Sequence, residues 1–197
     1  MLFARKAMQA SDLSELIAWL KDNPNKASAG VATGGVRLLT TVFKKETSTQ
    51  FTLVPYRGGA PAMQDLVAGQ IDLLFSTPTS LTLAQTGIIK AYAVTSATRL
   101  ALAPGIPTFR ETGFPALSYS AWIGLFAPRG IPTEIVGQLN AAVRNALTDL
   151  AVRGRIVEFG AELFPTEQQT PETLAAMQKA DAEKWWTIIK ELGIKGE

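Results

Sequence analysis

The sequence predicts an α/β protein with a largely parallel sheet. Apolar runs of strand length alternate with segments whose apolar residues recur three and four apart. One stretch, LVPYRGGAPAMQDLVAGQIDLLF (residues 53–75), reads as a complete strand–helix–strand unit. Strand after strand then runs into a loop of small polar residues: SAGVATGG, VPYRGGAP, LLFSTPTS and AVTSATR. In open α/β sheets ligands sit beside the carboxyl ends of the strands, so such loops would line one crevice with N–H and hydroxyl donors. Turn chemistry by itself also favours Gly, Ser and Thr, so plain αβ turns share the pattern.

Taken in order, Ser11 or Asp12 caps a helix to about Lys21, with Leu13, Leu16, Ile17 and Leu20 inward. Pro24 ends it, and residues 27–30 form a short strand. A helix over about 35–45 turns Val36, Leu39 and Phe43 inward and leaves Lys44, Lys45 and Glu46 at a solvated end. Residues 51–56 are the next strand. Gly58 and Gly59 allow a sharp turn, and Pro61 suits the first position of the helix that follows. Met63, Leu66 and Val67 share a face of that helix, Gly69 stops it as a left-handed cap, and 71–75 is a buried strand. The junction of strand and helix at Gly58 exposes N–H groups and the positive end of a helix dipole, which suits an anion.

After STPTSL a helix runs to about Gln85, Gly87 breaks it, and 89–95 is a strand. Strands 53–56, 71–75 and 89–95 should run parallel in one sheet, because the helices between them act as crossovers. Residues 99–118 read as an irregular connection with a short helix near 109–112, and 119–127 as a long strand. Pro132 or Thr133 starts a helix whose stripe is Ile135, Leu139, Val143, Leu147 and Leu150. A second helix covers 151–159, capped by Gly160, and 161–165 is a short strand. Thr170-Pro171-Glu172 starts a last helix to 192, with Leu174, Met177, Trp185, Ile188 and Leu192 on one side. Trp185 and Trp186 read as packing residues rather than a base-stacking platform.

Composition narrows the chemistry. The 197 residues suffice for one large domain or two small ones. Nineteen Lys and Arg against seventeen Asp and Glu give a net charge of +2, too small to argue for nucleic acid, and no basic stripe interleaves with aromatics. No apolar run approaches the roughly 20 residues of a membrane helix. The chain has no Cys and no His, which removes disulfides, thiolate nucleophiles, the Ser-His-Asp triad and the commonest metal ligands. GGAPAMQD lacks the GK[ST] ending of a P-loop. No catalytic residue, metal ligand or cofactor is therefore assigned. Residues 1–4 are apolar and Arg5 and Lys6 follow, the reverse of an export signal, so none is visible.

The stretch VPYRGGAPAMQDLVAGQIDLLF, joined to AYAVTSATRLALAPGIPTFRETGFP, WIGLFAPRGIP and EKWWTIIKELGIK, resembles the Bug family. These are the periplasmic solute receptors of tripartite tricarboxylate transporters, and the resemblance runs from about residue 16 to 195. It implies a type II periplasmic-binding-protein fold, with two α/β lobes around a cleft. It also implies a small carboxylate ligand passed to the membrane subunits of a transporter, and a periplasmic location. Ligand contacts in such a receptor are chiefly backbone N–H groups, small hydroxyls and waters.

By position, the resemblance puts Thr33, Gly34, Gly35, Gly58, Gly59 and Ala60 near a carboxylate, with Ser76 and Thr77 on another cleft-facing loop. Tyr56, Arg57 and Arg37 are secondary candidates; Arg57 is as readily a solvent-facing residue. Arg37 stands where many relatives carry a His at or beside that position. Residues 1–118 match the complete second lobe and 119–197 only the returning, C-terminal part of the first. The chain is thus expected to be a fragment or a truncated form. Loss of that half would weaken ligand binding and uncover apolar faces on 119–127 and 133–150, favouring self-association into a homo-oligomer. The competing reading is a chain that associates and no longer binds solute.

Overall fold

The structure is a computed structural model that describes residues 1–191 and 193. The chain divides into two compact units, Met1–Ser120 and a second beginning at Ala121.

The first unit holds β1 (Leu2–Arg5), α1 (Leu13–Asp22), β2 (Ser28–Val31), α2 (Gly34–Thr47) and β3 (Thr52–Pro55). It continues with α3 (Gly59–Ala68), β4 (Leu73–Phe75), α4 (Leu81–Gln85) and β5 (Ile89–Ala93). The strands form one five-stranded sheet in the order β3-β2-β4-β1-β5. β2 pairs in parallel with β3 and with β4, and β1 runs antiparallel to both β4 and β5. So β3, β4 and β5 point the same way, as their crossover spacing requires, and no two of them form a hairpin.

β1 was not anticipated. Leu2, Phe3 and Ala4 are all buried, because a strand between two others with both faces covered carries apolar residues on both sides.

The sheet's two faces have separate cores. On one, Phe43 of α2 packs against Phe51, Phe75 and Phe109, with ring centroids 6.2, 6.0 and 6.1 Å away. On the other, Ala62 and Leu66 of α3 join Phe3, Ile71, Leu74 and Ile89. The neighbours Leu74 and Phe75 serve opposite faces, as the pleat demands. Gly30 leaves room for the Ile71 and Leu74 side chains: a β-carbon there would stand 2.8 Å from Ile71 Cδ1 and 3.2 Å from Leu74 Cδ1. Val67, expected on the inner face of α3, is exposed, while Ala62, Met63 and Leu66 make the contact with the core. The short helix expected at 109–112 is a turn, and a 3-10 turn forms at Pro115–Leu117 instead.

In a polypeptide that begins at Met1, the terminal amine is buried and donates to the Ser76 carbonyl at 2.8 Å. Burial lowers its pKa from 8.0 to about 5. The folded state then binds fewer protons than the unfolded chain between these values, so stability should rise as pH goes from 5 to 8. Without His or Cys, no other side chain ordinarily titrates there. Urea denaturation across that window should show a gain of up to about 4 kcal/mol. A flat profile would contradict the burial.

The second unit holds α5 (Thr133–Ala146), α6 (Leu150–Glu158) and α7 (Pro171–Glu191). The strand expected over 119–127 has no sheet partner, and none forms at 161–165. An apolar alternation makes a segment extended, but a strand also needs a neighbour. Among the described residues of this unit only Trp185 is buried; Trp186 is exposed, so the packing role holds for one of the pair. Leu150, expected on the inner stripe of the long helix, lies instead at the start of α6 and is exposed. Leu192 lies outside the described residues.

Candidate functional site

The carboxyl ends of β2, β3 and β4 lie side by side, and their loops open on one edge. α2 carries the chain outward from β2 to β3, and α3 returns it past β2 to β4 on the opposite face. The topological switch therefore falls between β2 and β4, where crevices form in such sheets. Thr33–Gly35 and Ser76–Thr77 flank that point, and the Gly58–Ala60 turn stands one strand further out.

Thr33 caps α2, its hydroxyl oxygen accepting from the Val36 N–H at 3.2 Å and its carbonyl from the Arg37 N–H at 2.9 Å. Gly34 and Gly35 form the first turn, whose N–H groups the helical ladder leaves over. A β-carbon on Gly34 would meet nothing within 4 Å, so the approach to these donors is open. Arg37 is half-buried one turn along α2.

β3 stays tied to β2 through the Tyr56 N–H, which donates to the Val31 carbonyl at 2.9 Å. The Tyr56 hydroxyl donates to Asp65 Oδ2 at 2.6 Å and so is engaged with the body of α3. Desolvation, and then the Asp65 carboxylate, push its pKa up to about 12. Arg57 is exposed. Gly58 precedes α3 and offers no side-chain cap, so the N–H groups of Gly59 and Ala60 have no capping partner from it. Gly58 has φ 167°, ordinary extended backbone, and Gly59 is not among the residues of positive φ. The conformational need for glycine expected at this turn is absent; what glycine provides is room, since a β-carbon on Gly59 meets nothing within 4 Å.

The third loop is pinned at its base, where the Ser76 N–H donates to the Met1 carbonyl at 3.0 Å. The Ser76 and Ser80 hydroxyl oxygens lie 3.4 Å apart, and those of Thr77 and Thr79 2.6 Å apart. Thr77 is exposed and Ser76 half-buried.

One neighbour of this edge escaped the sequence reading. Tyr119, expected to begin a strand, places its hydroxyl oxygen 3.3 Å from where a β-carbon on Gly35 would stand. Its 84-residue separation from Gly35 leaves no local signal that the two meet. Among the described residues no group of three or more Asp or Glu side chains is placed to hold a metal ion.

Loops at one sheet edge, rich in backbone donors and lacking acid–base pairs, suit capture of a ligand more than its conversion. Residues 1–194 match the family described as the tripartite tricarboxylate transporter family receptor. The chain belongs to that family. TctC-family receptors, which include the Bug proteins, are periplasmic, non-enzymatic solute-binding proteins that bind small carboxylates and serve a tripartite transporter.

MatC of Rhodopseudomonas palustris, solved with bound malate, matches at 33% identity with a TM-score of 0.89, over 96% of this chain and 65% of its own. The periplasmic binding protein BugD matches at 31% identity and TM-score 0.90, over 100% of this chain and 66% of its own. A curated Agrobacterium vitis relative, the UPF0065 protein in the TAR-I ttuE-ttuC′ intergenic region, is 34% identical over 98% of this chain and 56% of its own length. The chain thus spans little more than half of that curated relative and about two thirds of the solved receptors.

Proposed function

We propose that this chain holds a small carboxylate at the carboxyl edge of its sheet, as the receptor part of a tripartite transport system. The observation that carries this is the pair of helix starts, α2 and α3, that follow adjacent parallel strands with open space at Gly34 and Gly59. The fold match to malate-bound MatC supports the choice of a dicarboxylate. In this reading Gly34, Gly35, Gly59 and Ala60 donate backbone N–H groups, and Thr33, Ser76 and Thr77 supply hydroxyls. Arg37 and Arg57 add long-range attraction, and Tyr56 braces α3. Residues 1–118 are the second lobe of the receptor and 119–197 the C-terminal part of the first. The ligand is then passed to the membrane subunits of the transporter.

Calorimetric titration with malate, and in parallel adipate, tests this. Saturable one-site binding is expected with at least one of them. No heat and no thermal shift with either would overturn the proposal.

A second role rests on the second unit, where Ile123 is 96% and Leu125 65% exposed. Such a face supports association between copies of this chain.

A further inference from the structure

We propose that the peptide bond between Arg129 and Gly130 is a processing site for a protease of trypsin-like specificity, which there cuts the helical unit from the sheet-bearing one. The proposal stands on exposure, backbone bonding and residue type, and does not depend on the carboxylate reading.

The chain crosses from one unit to the other at Ser120–Ala121, and from there its backbone is left to water. Among the described residues no N–H or carbonyl of 121–127 enters a backbone hydrogen bond, and the segment joins no sheet. Every residue from Leu125 to Gly130 is exposed. Pro128 and Pro132 lack the N–H that would let a helix or a ladder absorb the stretch, and α5 starts only at Thr133. A protease takes its substrate as an extended strand. A stretch that is already unbonded enters with little local unfolding, which is why nicking concentrates at such sites.

Residue type then selects the bond. Arg129 supplies the cation that the acidic base of a trypsin-like specificity pocket recognises. Gly130 follows at φ 88°, and glycine passes from that value to an extended form at little cost. Among the described residues every other lysine and arginine lies in a helix or strand, or stands within one residue of a backbone hydrogen bond. Arg110, for example, is exposed, but its carbonyl accepts from the Gly113 N–H at 3.2 Å. From Arg129 the nearest such bond is at the Pro132 carbonyl. One water is consumed: the C–N bond breaks, Arg129 is left with a carboxylate and Gly130 with an amine. The five-stranded sheet stays on one product and α5, α6 and α7 on the other.

The test digests the intact 197-residue chain with a trace of trypsin, well below micromolar concentration, and follows it by intact-mass spectrometry. The first cut is expected after Arg129, and fragment 1–129 should then persist, because the sheet and its two cores hold its other basic residues. Arg129→Gln should slow loss of the intact chain by about tenfold with an unchanged melting point, while Arg110→Gln leaves the rate unchanged. First cuts at Lys6, Arg57 or Arg110, or an Arg129→Gln chain cut as fast as wild type, would overturn the proposal. Should Arg129→Gln lower the melting point, the position of the first cut in wild type decides alone.

Discussion

Gly59→Ile should lower malate affinity by about 100-fold or more, while Arg57→Ala should cost less than about tenfold. Gly59 and Ala60 present first-turn N–H groups of α3 into open space, and Pro61 contributes none. Charge-assisted hydrogen bonds to a carboxylate are worth about 1.5–3 kcal/mol each, so blocking two of them costs about 3–6 kcal/mol. A β-branched side chain at 59 would occupy that space. It would do so without straining the backbone, because Gly59 lies in a helix and not at positive φ. Arg57 is exposed and its attraction is screened by salt. Calorimetry on both variants, with circular dichroism to confirm folding, separates the cases. Tight binding that survives Gly59→Ile but vanishes in Arg57→Ala would overturn the backbone-donor mechanism.

The wild-type chain should also self-associate at micromolar concentration, and Ile123→Lys with Leu125→Glu should restore a monomer. Residues 121–127 (AWIGLFA) carry no charge and join no sheet. One side of this extended segment faces α7: Trp122 Nε1 donates to Asp181, and a β-carbon on Gly124 would stand 2.7 Å from Leu174 Cδ1. Ile123 and Leu125 point away from that side and are bare. Soluble proteins guard such edges with charges or prolines, and Pro128 comes only after the segment ends. Leu150, Val157 and Phe159 extend the apolar exposure on α6 and its end. Light scattering over a dilution series reads the mass directly. A monodisperse monomer with weak binding of an apolar dye would contradict the expectation.

Most of the first unit was legible because its signals are local. Pro61 and Gly69 bracket α3 in the sequence, and Gly69 indeed takes φ 76°. Asp12 caps α1 with the side chain its type predicts, accepting from the Glu15 N–H. Three of the loops called on for ligand contact open at one edge because parallel strands leave no alternative. What failed was non-local. β1 was hidden because LFAR is too short for a periodicity and its partners lie about 70 to 90 residues away. Tyr119 was missed for the same reason. The strand read over 119–127 does not form, since side-chain pattern says nothing of what lies across the hydrogen bonds.

The antiparallel β1 bears on how the protein is made. Its register, Phe3 with Leu74 and Arg5 with Ile89, joins residues to partners that are translated about 70 to 85 positions later. At about 5–20 residues per second, β1 waits on the order of 5–20 s for both neighbours. During that time β2, β3 and β4 can assemble as a parallel three-strand nucleus, but β4 has one open edge and β5 has no place to dock. Closing the largest loop last makes this the slow step of folding. In this interval Leu2 and Phe3 have no sheet to cover them, although the finished sheet buries both. A chain whose β1 is captured by another molecule would be left with a sheet split between β4 and β5.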